Sequence, residues 1–381
     1  MMKYFFQSFL ILTLAIEVSS AKELTLIARA SERDSYNLPY TSYFQDVTPF
    51  LSSSGDVYAK VIFLNGSAYH QGIFLKESGK TEGTLIYTAP EGIYIGDLHV
   101  NANDLITFAT HDGGSAVGLY TFDPKKLVLK TIIDARKEKI DGISDPTIDN
   151  ENRIITRILT RKGKRSIIRI SENDREVLYS DEENGMSYIF SPYSNLSGEF
   201  VFKARYGELG NFGEERPDAL VTNKGKVAID RDSKKSSIFL SFRNTASLND
   251  LGEIVFVAMN ESGKLGVYSS KREGALVLEG QSGVSKIEYF PPRINNLGEI
   301  ALRYKDEQGR TNIGLVTLSG KLKSALKIGD LVETDYLTSV VKEFHGGVAI
   351  DDRSNVSFVT TLLDKNETEL LGHGLFVASD L

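Results

Sequence analysis

The amino-acid sequence predicts an all-β protein, a seven-bladed β-propeller with about 50 residues in each four-stranded blade. Three observations lead to this fold class. A turn-forming phrase recurs seven times at intervals of about 50 residues. Each interval holds four short apolar segments, and none carries a sustained helical stripe. The last repeat also lacks its final strand, and a segment near the N-terminus has the character of that missing strand. Four short antiparallel strands in such a repeat form one propeller blade.

The recurring phrase reads apolar–Asn–x–x–Gly–x–apolar–x–apolar, and its fullest copies are "LNDLGEIVF" and "INNLGEIAL". Asn or Asp first and Gly fourth suit a type I turn that leads into a bulge. Gly accepts a positive φ best, and Asn and Asp accept it better than other residues. The phrase therefore predicts a hairpin turn. The fourth positions of its seven copies are Gly55, Asp104, Asn152, Gly198, Gly252, Gly298 and Ser354.

The segments around each turn predict the strands in order. The segment after the turn, such as "IVFV" at 254–257, is apolar on both faces, as in strands buried on both sides. A Gly–apolar–apolar strand follows, as in Gly266-Val267-Tyr268, and then a third segment such as "ALVLE". The fourth segment precedes the next turn, as in "YIGDLHV". It is the first strand of its blade, so we expect it to line the central channel.

The ends of the chain predict how the ring closes. The last repeat stops after "HGLFVAS" and lacks its final strand, whereas "ELTLIARA" near the N-terminus is an orphan strand of that kind. We expect residues 23–28 to pair with the strand around Leu375. This pairing would join the first blade to the last and leave only short, protected edges. A linear β-solenoid and two stacked sandwiches are the alternatives that the repeat leaves open.

At this spacing the phrase resembles that of exported bacterial β-propeller proteins with tandem N-x-x-G-x-x-A-F repeats. The resemblance covers residues 22–381, and the Ala–Phe ending survives loosely, as in Val255-Phe256 or Val201-Phe202. What it implies is the fold and export. It implies no activity, because that family has no common activity.

The N-terminus itself predicts export. Residues 1–21 combine Lys3, the apolar run "FLILTLAI" and the small residues Ser19 and Ala21 at the −3 and −1 positions of a cleavage site. This is the pattern of a secretory signal peptide; a buried N-terminal strand is the alternative. Residues 22–381 would then form a single propeller domain in the periplasm or outside the cell. No apolar stretch is long enough for a transmembrane helix.

Composition excludes several classes of function. The chain has no cysteine, which removes thiolate catalysis and cysteine-based zinc sites. Its net charge of −7 argues against nucleic acid and anionic membranes as partners. H-E-x-x-H, a P-loop, G-x-S-x-G and the EF-hand pattern are absent. We therefore expect no cofactor and no metal.

Counting back from the fourth turn position identifies side chains of the inner strands. We take the positions nine and seven residues before it, and add Glu343, which lies two residues before His345. These positions are expected to bring polar groups from several blades to one channel mouth. Convergent polar groups at such a mouth are the default site hypothesis. They could instead satisfy exposed backbone at strand ends and hydrate the channel. The candidates are Asp46, Asp97, Asp145, Arg243, Tyr289, Glu343 and His345.

The loop between the first and second segments after the turn of repeat four is a second candidate. It contains "YGELGNFGEERPD" and is longer than its counterpart in most repeats. Extra loops on a rigid scaffold often carry binding, so Tyr206 and Phe212 are binding candidates. A neutral surface insertion explains the length equally well.

The absence of catalytic signatures favours a non-enzymatic, exported propeller that binds a protein or an envelope component such as a polysaccharide. The alternative is a hydrolase or lyase at the channel mouth, with His345 or Asp97 as general base and Arg243 holding an anionic group. A glycan-binding propeller ranks last, because no polar pocket is visibly repeated in the blades.

Overall fold

The protein forms a seven-bladed β-propeller in a computed structural model that describes residues 23–44, 47–208, 217–230, 234–243 and 245–381. Seven antiparallel sheets follow one another in chain order around a central channel. The predicted fold class is confirmed, and the solenoid and sandwich alternatives are not adopted.

The chain begins with β1 (Glu23–Ala30), which belongs to blade seven, and blades one to three follow. Blade one has β2 (Ser42–Tyr43), β3 (Phe50–Leu51), β4 (Val57–Asn65), β5 (Ala68–Lys76) and β6 (Thr84–Thr88). Blade two has β7 (Tyr94–Ile95), β8 (His99–Val100), β9 (Ile106–His111), β10 (Ala116–Asp123) and β11 (Val128–Asp134). The short helix α1 (Ala135–Glu138) leads to blade three, with β12 (Ile140–Ile143), β13 (Thr147–Ile148), β14 (Ile154–Thr160), β15 (Arg165–Ile170) and β16 (Arg175–Ser180).

Blades four to seven repeat the arrangement. Blade four has β17 (Met186–Ile189), β18 (Tyr193–Ser194), β19 (Phe200–Tyr206), β20 (Asp218–Thr222) and β21 (Gly225–Ile229). Blade five has β22 (Phe239–Phe242), β23 (Ser247–Leu248), β24 (Ile254–Asn260), β25 (Leu265–Ser269) and β26 (Ala275–Leu278). Blade six has β27 (Val284–Ile287), β28 (Arg293–Ile294), β29 (Ile300–Asp306), β30 (Thr311–Val316) and β31 (Leu322–Lys327). Blade seven has β32 (Leu331–Glu333), β33 (Thr338–Ile350), β34 (Val356–Leu363) and β35 (Leu370–Ser379), completed by β1.

The inner strand is interrupted in blades one to six. In blade two, for example, β7 and β8 both pair with β9, and the residues between them leave the ladder. In blade seven β33 is continuous, but its register with β34 shifts between His345 and Ala349. In a regular strand, side chains alternate between the two faces. Several side chains predicted to line the channel lie in these interruptions and do not follow that alternation.

All seven fourth turn positions have positive φ, as the phrase predicts. The angle is 71° at Gly252, and it is 63° at Asp104, 63° at Asn152 and 67° at Ser354, where a side chain is present. Asn and Asp accept this conformation at a modest cost, which explains two of these replacements of Gly.

The asparagine that opens the turn also joins adjacent blades, a role that turn chemistry alone does not predict. In blade five, Asn249 Oδ1 accepts the N–H of Glu253 within its own turn, at 2.9 Å. Its Nδ2 donates to the carbonyl of Asn295, the matching residue of blade six, at 2.9 Å. An aspartate could make only the first of these bonds. The same amide-to-carbonyl bond runs from Asn101 to Asp149, from Asn195 to Asn249 and from Asn295 to Asp351.

The ring closes between the ends of the chain. Strand β1 pairs with β35 from Glu23 opposite Ser379 to Ala30 opposite His373, and Ala28 lies opposite Leu375. The predicted closure is confirmed. The outermost strand of blade seven therefore comes from the opposite end of the chain.

The hydrophobic core is divided into seven layers between neighbouring blades. Between blades two and three, for instance, Leu119 and Ile133 pack against Ile148, Ile154 and Ile168. Equivalent clusters fill the other six junctions of the described residues. Within the part of the chain that the structure describes, no helix has the length and apolar character needed to cross a membrane.

The inner strands all run in one direction, which gives the propeller two distinct ends. We call the end that carries the seven N-x-x-G turns the turn face. The opposite end, where each inner strand begins and β4 turns into β5, is the cleft face.

Candidate functional site

Two of the predicted channel residues touch each other. Asp97 lies in the interruption between β7 and β8, and Asp145 in the one between β12 and β13. The backbone N–H of Asp97 donates to Asp145 Oδ1 at 2.9 Å. Lys60 Nζ binds Asp97 Oδ1 at 2.9 Å, so one of the two carboxylates is paired with a cation.

Asp145 is exposed to the channel solvent, but the protein atoms packed around it reduce the solvation of its carboxylate. This surrounding disfavours the charged carboxylate and, with the nearby Asp97, raises the pKa of Asp145 above its usual range. Asp145 therefore keeps its proton to a higher pH than an isolated aspartate does.

A further layer of side chains crosses the channel. It occupies the position five residues before the fourth turn position, whereas the prediction considered only the positions seven and nine residues before it. His99 lies edge-to-face with Phe50, with ring centroids 5.3 Å apart, and with Tyr193 at 5.9 Å. The guanidinium carbon of Arg293 lies 4.5 Å from the centroid of the Tyr193 ring. These four residues come from blades two, one, four and six. The signal was available, because they occupy the position five residues before the fourth turn residue.

Burial keeps His99 neutral. Its side chain is 6% exposed, and its Nδ1 accepts the N–H of Ile148 at 3.2 Å. Desolvation, with a smaller contribution from Arg293, lowers the pKa of His99 to about 3. The ring therefore serves at physiological pH as an uncharged part of the channel layer.

Acidification is expected to destabilise the protein through His99. Between its folded pKa of about 3 and the ordinary 6.5, the unfolded chain binds a proton that the folded protein does not. Stability from this residue is therefore complete above pH 6.5 and falls as the pH drops, by about 2 kcal/mol at pH 5. Denaturant titrations at pH 7.5 and 5.0 check this: His99→Gln should lose about 2 kcal/mol less than the wild type. The exposed His111→Gln variant is the control, and equal losses in wild type and His99→Gln would contradict the account.

The channel cavity has a volume of about 340 Å³ and lies towards the turn face. Its walls include Asp97 and the layer of His99, Tyr193 and Arg293, and residues of the N-x-x-G turns line its outer part. Asn296 Nδ2 there donates to Asp250 Oδ2 at 3.0 Å and to Asp352 Oδ2 at 2.8 Å. The cavity thus combines one cation with a polar, partly acidic rim.

In four blades, a basic side chain on the second strand binds the inner strand of the next blade. Each lies five residues after the fourth turn position. The bonds are Lys60 to Asp97 Oδ1, Arg157 Nη1 to the Ile189 carbonyl at 3.0 Å, Lys203 Nζ to the Phe242 carbonyl at 2.9 Å and Arg303 Nη1 to the Gly346 carbonyl at 2.5 Å.

Glu343 and His345 line a second cavity on the cleft face, between blades seven and one. This cleft has a volume of about 600 Å³. His345 Nε2 and Thr361 Oγ1 are 2.6 Å apart, and the rings of His345 and His373 meet edge-to-face at 5.0 Å. Burial first, and then repulsion by His345, lowers the pKa of His373 to about 4. The lining residues are Tyr43, Phe44, Ile62, Tyr69, Glu343, His345 and His373.

Exposed aromatic rings lie in the cleft and elsewhere on the cleft face. Tyr69 is 53% exposed and meets Tyr43 edge-to-face, with centroids 5.8 Å apart. Their hydroxyl oxygens are 3.5 Å apart, and this contact raises the pKa of Tyr43 to about 12. Tyr40 is 70% exposed just before β2, and Tyr94 at the same end of blade two stacks on His111.

The remaining candidates lie apart from both cavities or outside the described residues. The Arg243 guanidinium carbon lies 5.6 Å from the ring centroid of Tyr289, so these two predicted residues contact each other. Tyr206 is half-buried, with Lys226 Nζ 4.0 Å from its ring centroid. Asp46 and Phe212 lie outside the described residues.

The residues of the catalytic alternative do not share a cavity. Asp97 lines the channel cavity, whereas His345 lines the cleft. Arg243 contacts Tyr289 instead. Among the described residues, no group of three or more His, Asp or Glu is arranged to hold a metal ion.

A buried ionic network supports the blade that carries the long loop. Asp218 accepts Lys203 Nζ at 2.8 Å and Arg205 Nε at 2.9 Å. Its backbone N–H donates to Asp230 Oδ2 at 2.6 Å. Lys203 also lies against the ring of Phe190, with Nζ 4.6 Å from the centroid. The network stabilises the strands on both sides of the loop.

Solved structures share the fold at low sequence identity. An oligogalacturonate lyase in complex with manganese has a TM-score of 0.53 and 10% identity, over 89% of this chain and 97% of that one. A puromycin-hydrolyzing peptidase of Mycobacterium tuberculosis has a TM-score of 0.51 and 12% identity, over 86% of this chain. The match covers 52% of the peptidase, so this chain spans about half its length. BamB from Moraxella catarrhalis is more distant, with a TM-score of 0.40 and 9% identity over 89% of this chain and 98% of that one.

No protein-family model and no curated protein matches the chain. The resemblance to exported propellers with N-x-x-G-x-x-A-F repeats therefore stays a prediction. At identities of 10–12%, the likeness to the lyase and the peptidase shows the fold alone. The chain is similar to β-propeller proteins in architecture, and its function has to be argued from its own surface.

Proposed function

We propose that this protein is an exported, non-enzymatic propeller that binds a protein partner on its cleft face. The observation that carries the proposal is the cleft between blades one and seven, with the exposed tyrosines that lie in it and on the same face. The pattern of a secretory signal peptide in residues 1–21 supports export.

The chemistry of the cleft suits a side chain of another protein. Phe44 and Ile62 provide apolar walls, and Tyr43 and Tyr69 add rings with hydroxyl groups. Tyrosine is enriched in protein interfaces because it offers a large contact area with few rotatable bonds. A pocket of this kind accepts an anchoring side chain of the partner.

Glu343 indicates the charge of that anchor. It is exposed at the cleft, and its carboxylate forms no ion pair or hydrogen bond with the residues that the structure describes. A carboxylate beside tyrosine rings favours a lysine or arginine, which can pair with the acid and stack on the rings. The proposed partner therefore presents a basic loop.

Site-specific photo-crosslinking in intact cells tests this function. A photoreactive amino acid at Tyr69 or at Tyr40 is expected to capture the same protein. Leu318 is the matched control, since it is 63% exposed but lies on the turn face. Glu343→Arg should abolish capture, because it reverses the charge at the cleft. Capture of nothing at Tyr69, or equal capture at Leu318, would overturn the proposal.

A further inference from the structure

The guanidinium of Arg293 has no hydrogen-bond acceptor among the residues that the structure describes. Its side chain makes no hydrogen bond or ion pair with any residue that the structure describes, and Nη1 is shielded from solvent without a partner. Its guanidinium carbon lies over the ring of Tyr193. The basic groups of Lys60, Arg157 and Lys203, by contrast, all bind the next blade. A partly buried guanidinium without an acceptor is costly, which points to an anion supplied from outside.

A second hydrogen-bond donor lines the same cavity. The Nδ1 of His99 accepts the N–H of Ile148, so the neutral ring carries its proton on Nε2. His99 and Arg293 both line the channel cavity, one neutral and one cationic. Two donors of this kind suit a carboxylate, which accepts hydrogen bonds on two oxygens.

The nearby acids restrict the charge of the anion. Asp145 lies close enough to feel the charge of Arg293, and Asp97 lines the cavity. These carboxylates would repel a phosphate dianion more strongly than a singly charged group. A planar carboxylate also matches the fork of a guanidinium, whose face already rests on Tyr193.

We propose that the channel cavity binds a small monocarboxylate, with its carboxylate on Arg293 and its body against Phe50 and Tyr193. The cavity volume of about 340 Å³ is at the lower end of small-molecule sites. Asp250 and Asp352 at the rim accept hydrogen bonds, so amino or hydroxyl groups at the other end of the ligand fit there. This site lies towards the turn face and is independent of the cleft.

Calorimetric titration of the full chain with benzoate tests the site, and benzamide is the neutral control of nearly the same shape. Benzoate is expected to bind saturably and benzamide not at all. Arg293→Gln should weaken benzoate binding at least tenfold, since it removes a charged hydrogen bond. The exposed Arg161→Gln should leave it unchanged.

A second readout does not depend on a variant folding. Phenylglyoxal modification of Arg293 in the wild type, followed by peptide mass analysis, should slow when benzoate is present, while modification of Arg161 should not. No benzoate binding, equal binding of benzamide, equal affinity of Arg293→Gln or no protection of Arg293 would each overturn the proposal.

Discussion

The Asp218→Asn variant is expected to lose about 3–5 kcal/mol of the free energy of unfolding. Asp218 is 2% exposed and neutralises two cations, Lys203 and Arg205. Asparagine keeps the shape and the backbone bond to Asp230 but removes the charge. Lys203 and Arg205 then lose the carboxylate that binds them both, and burial already lowers the pKa of Lys203. Urea titration monitored by circular dichroism measures the change.

The controls separate charge from shape. Glu77→Gln removes one member of an exposed pair with Lys80 and should change stability little. Adding Lys203→Met to Asp218→Asn should restore part of the lost free energy of unfolding, because it removes one of the two cations that the Asp218 carboxylate neutralises. An Asp218→Asn protein as stable as the wild type would show that the network contributes nothing.

A disulfide between the N-terminal strand β1 and the C-terminal strand β35 is expected to stabilise the protein strongly. Thr25 of β1 lies opposite Val377 of β35, and paired Cα atoms of antiparallel strands fall within the range that a disulfide spans. The chain has no other cysteine, so Thr25→Cys with Val377→Cys forms a unique pair. It closes a loop of about 350 residues, for which the chain-entropy model gives roughly 6 kcal/mol.

The same protein under reducing conditions is the reference for this measurement. The midpoint of urea unfolding should rise on oxidation and return on reduction. Thr25→Cys with Ala378→Cys is the register control, since neighbouring residues of a strand point to opposite faces. Ready disulfide formation in the control but not in the Thr25–Val377 pair would contradict the described closure.

The fold could be predicted because the phrase repeats a local requirement seven times. A positive φ at the fourth turn position leaves a mark in the sequence, as Gly198, Gly252 and Gly298 show. The closure could be predicted because an orphan strand and a missing strand have the same character, and β1 does pair with β35. The role of Asn249 in joining blades was missed, since the turn already explains an asparagine there.

The candidate sites were harder to predict because they combine distant segments. Counting back from the turn of each repeat predicts Asp97, Asp145 and His345 at one mouth of the channel, on the assumption that the inner strands are regular. The interruptions and the shift at His345 break this regularity, and His345 lines the cleft instead. That cleft joins blades one and seven, which are far apart in the sequence.

The affinity of the partner captured at Tyr69 tests the central claim most directly. Purified wild type, the cleft variant Tyr69→Ala and the turn-face variant Leu297→Ala should be compared by surface plasmon resonance. Leu297 is 51% exposed, close to the 53% of Tyr69, so the two truncations are matched. We expect Tyr69→Ala to weaken binding at least tenfold, as truncation of a tyrosine anchor does, and Leu297→Ala to leave it unchanged. Equal affinity for Tyr69→Ala and wild type, or a loss confined to Leu297→Ala, would contradict binding at the cleft face.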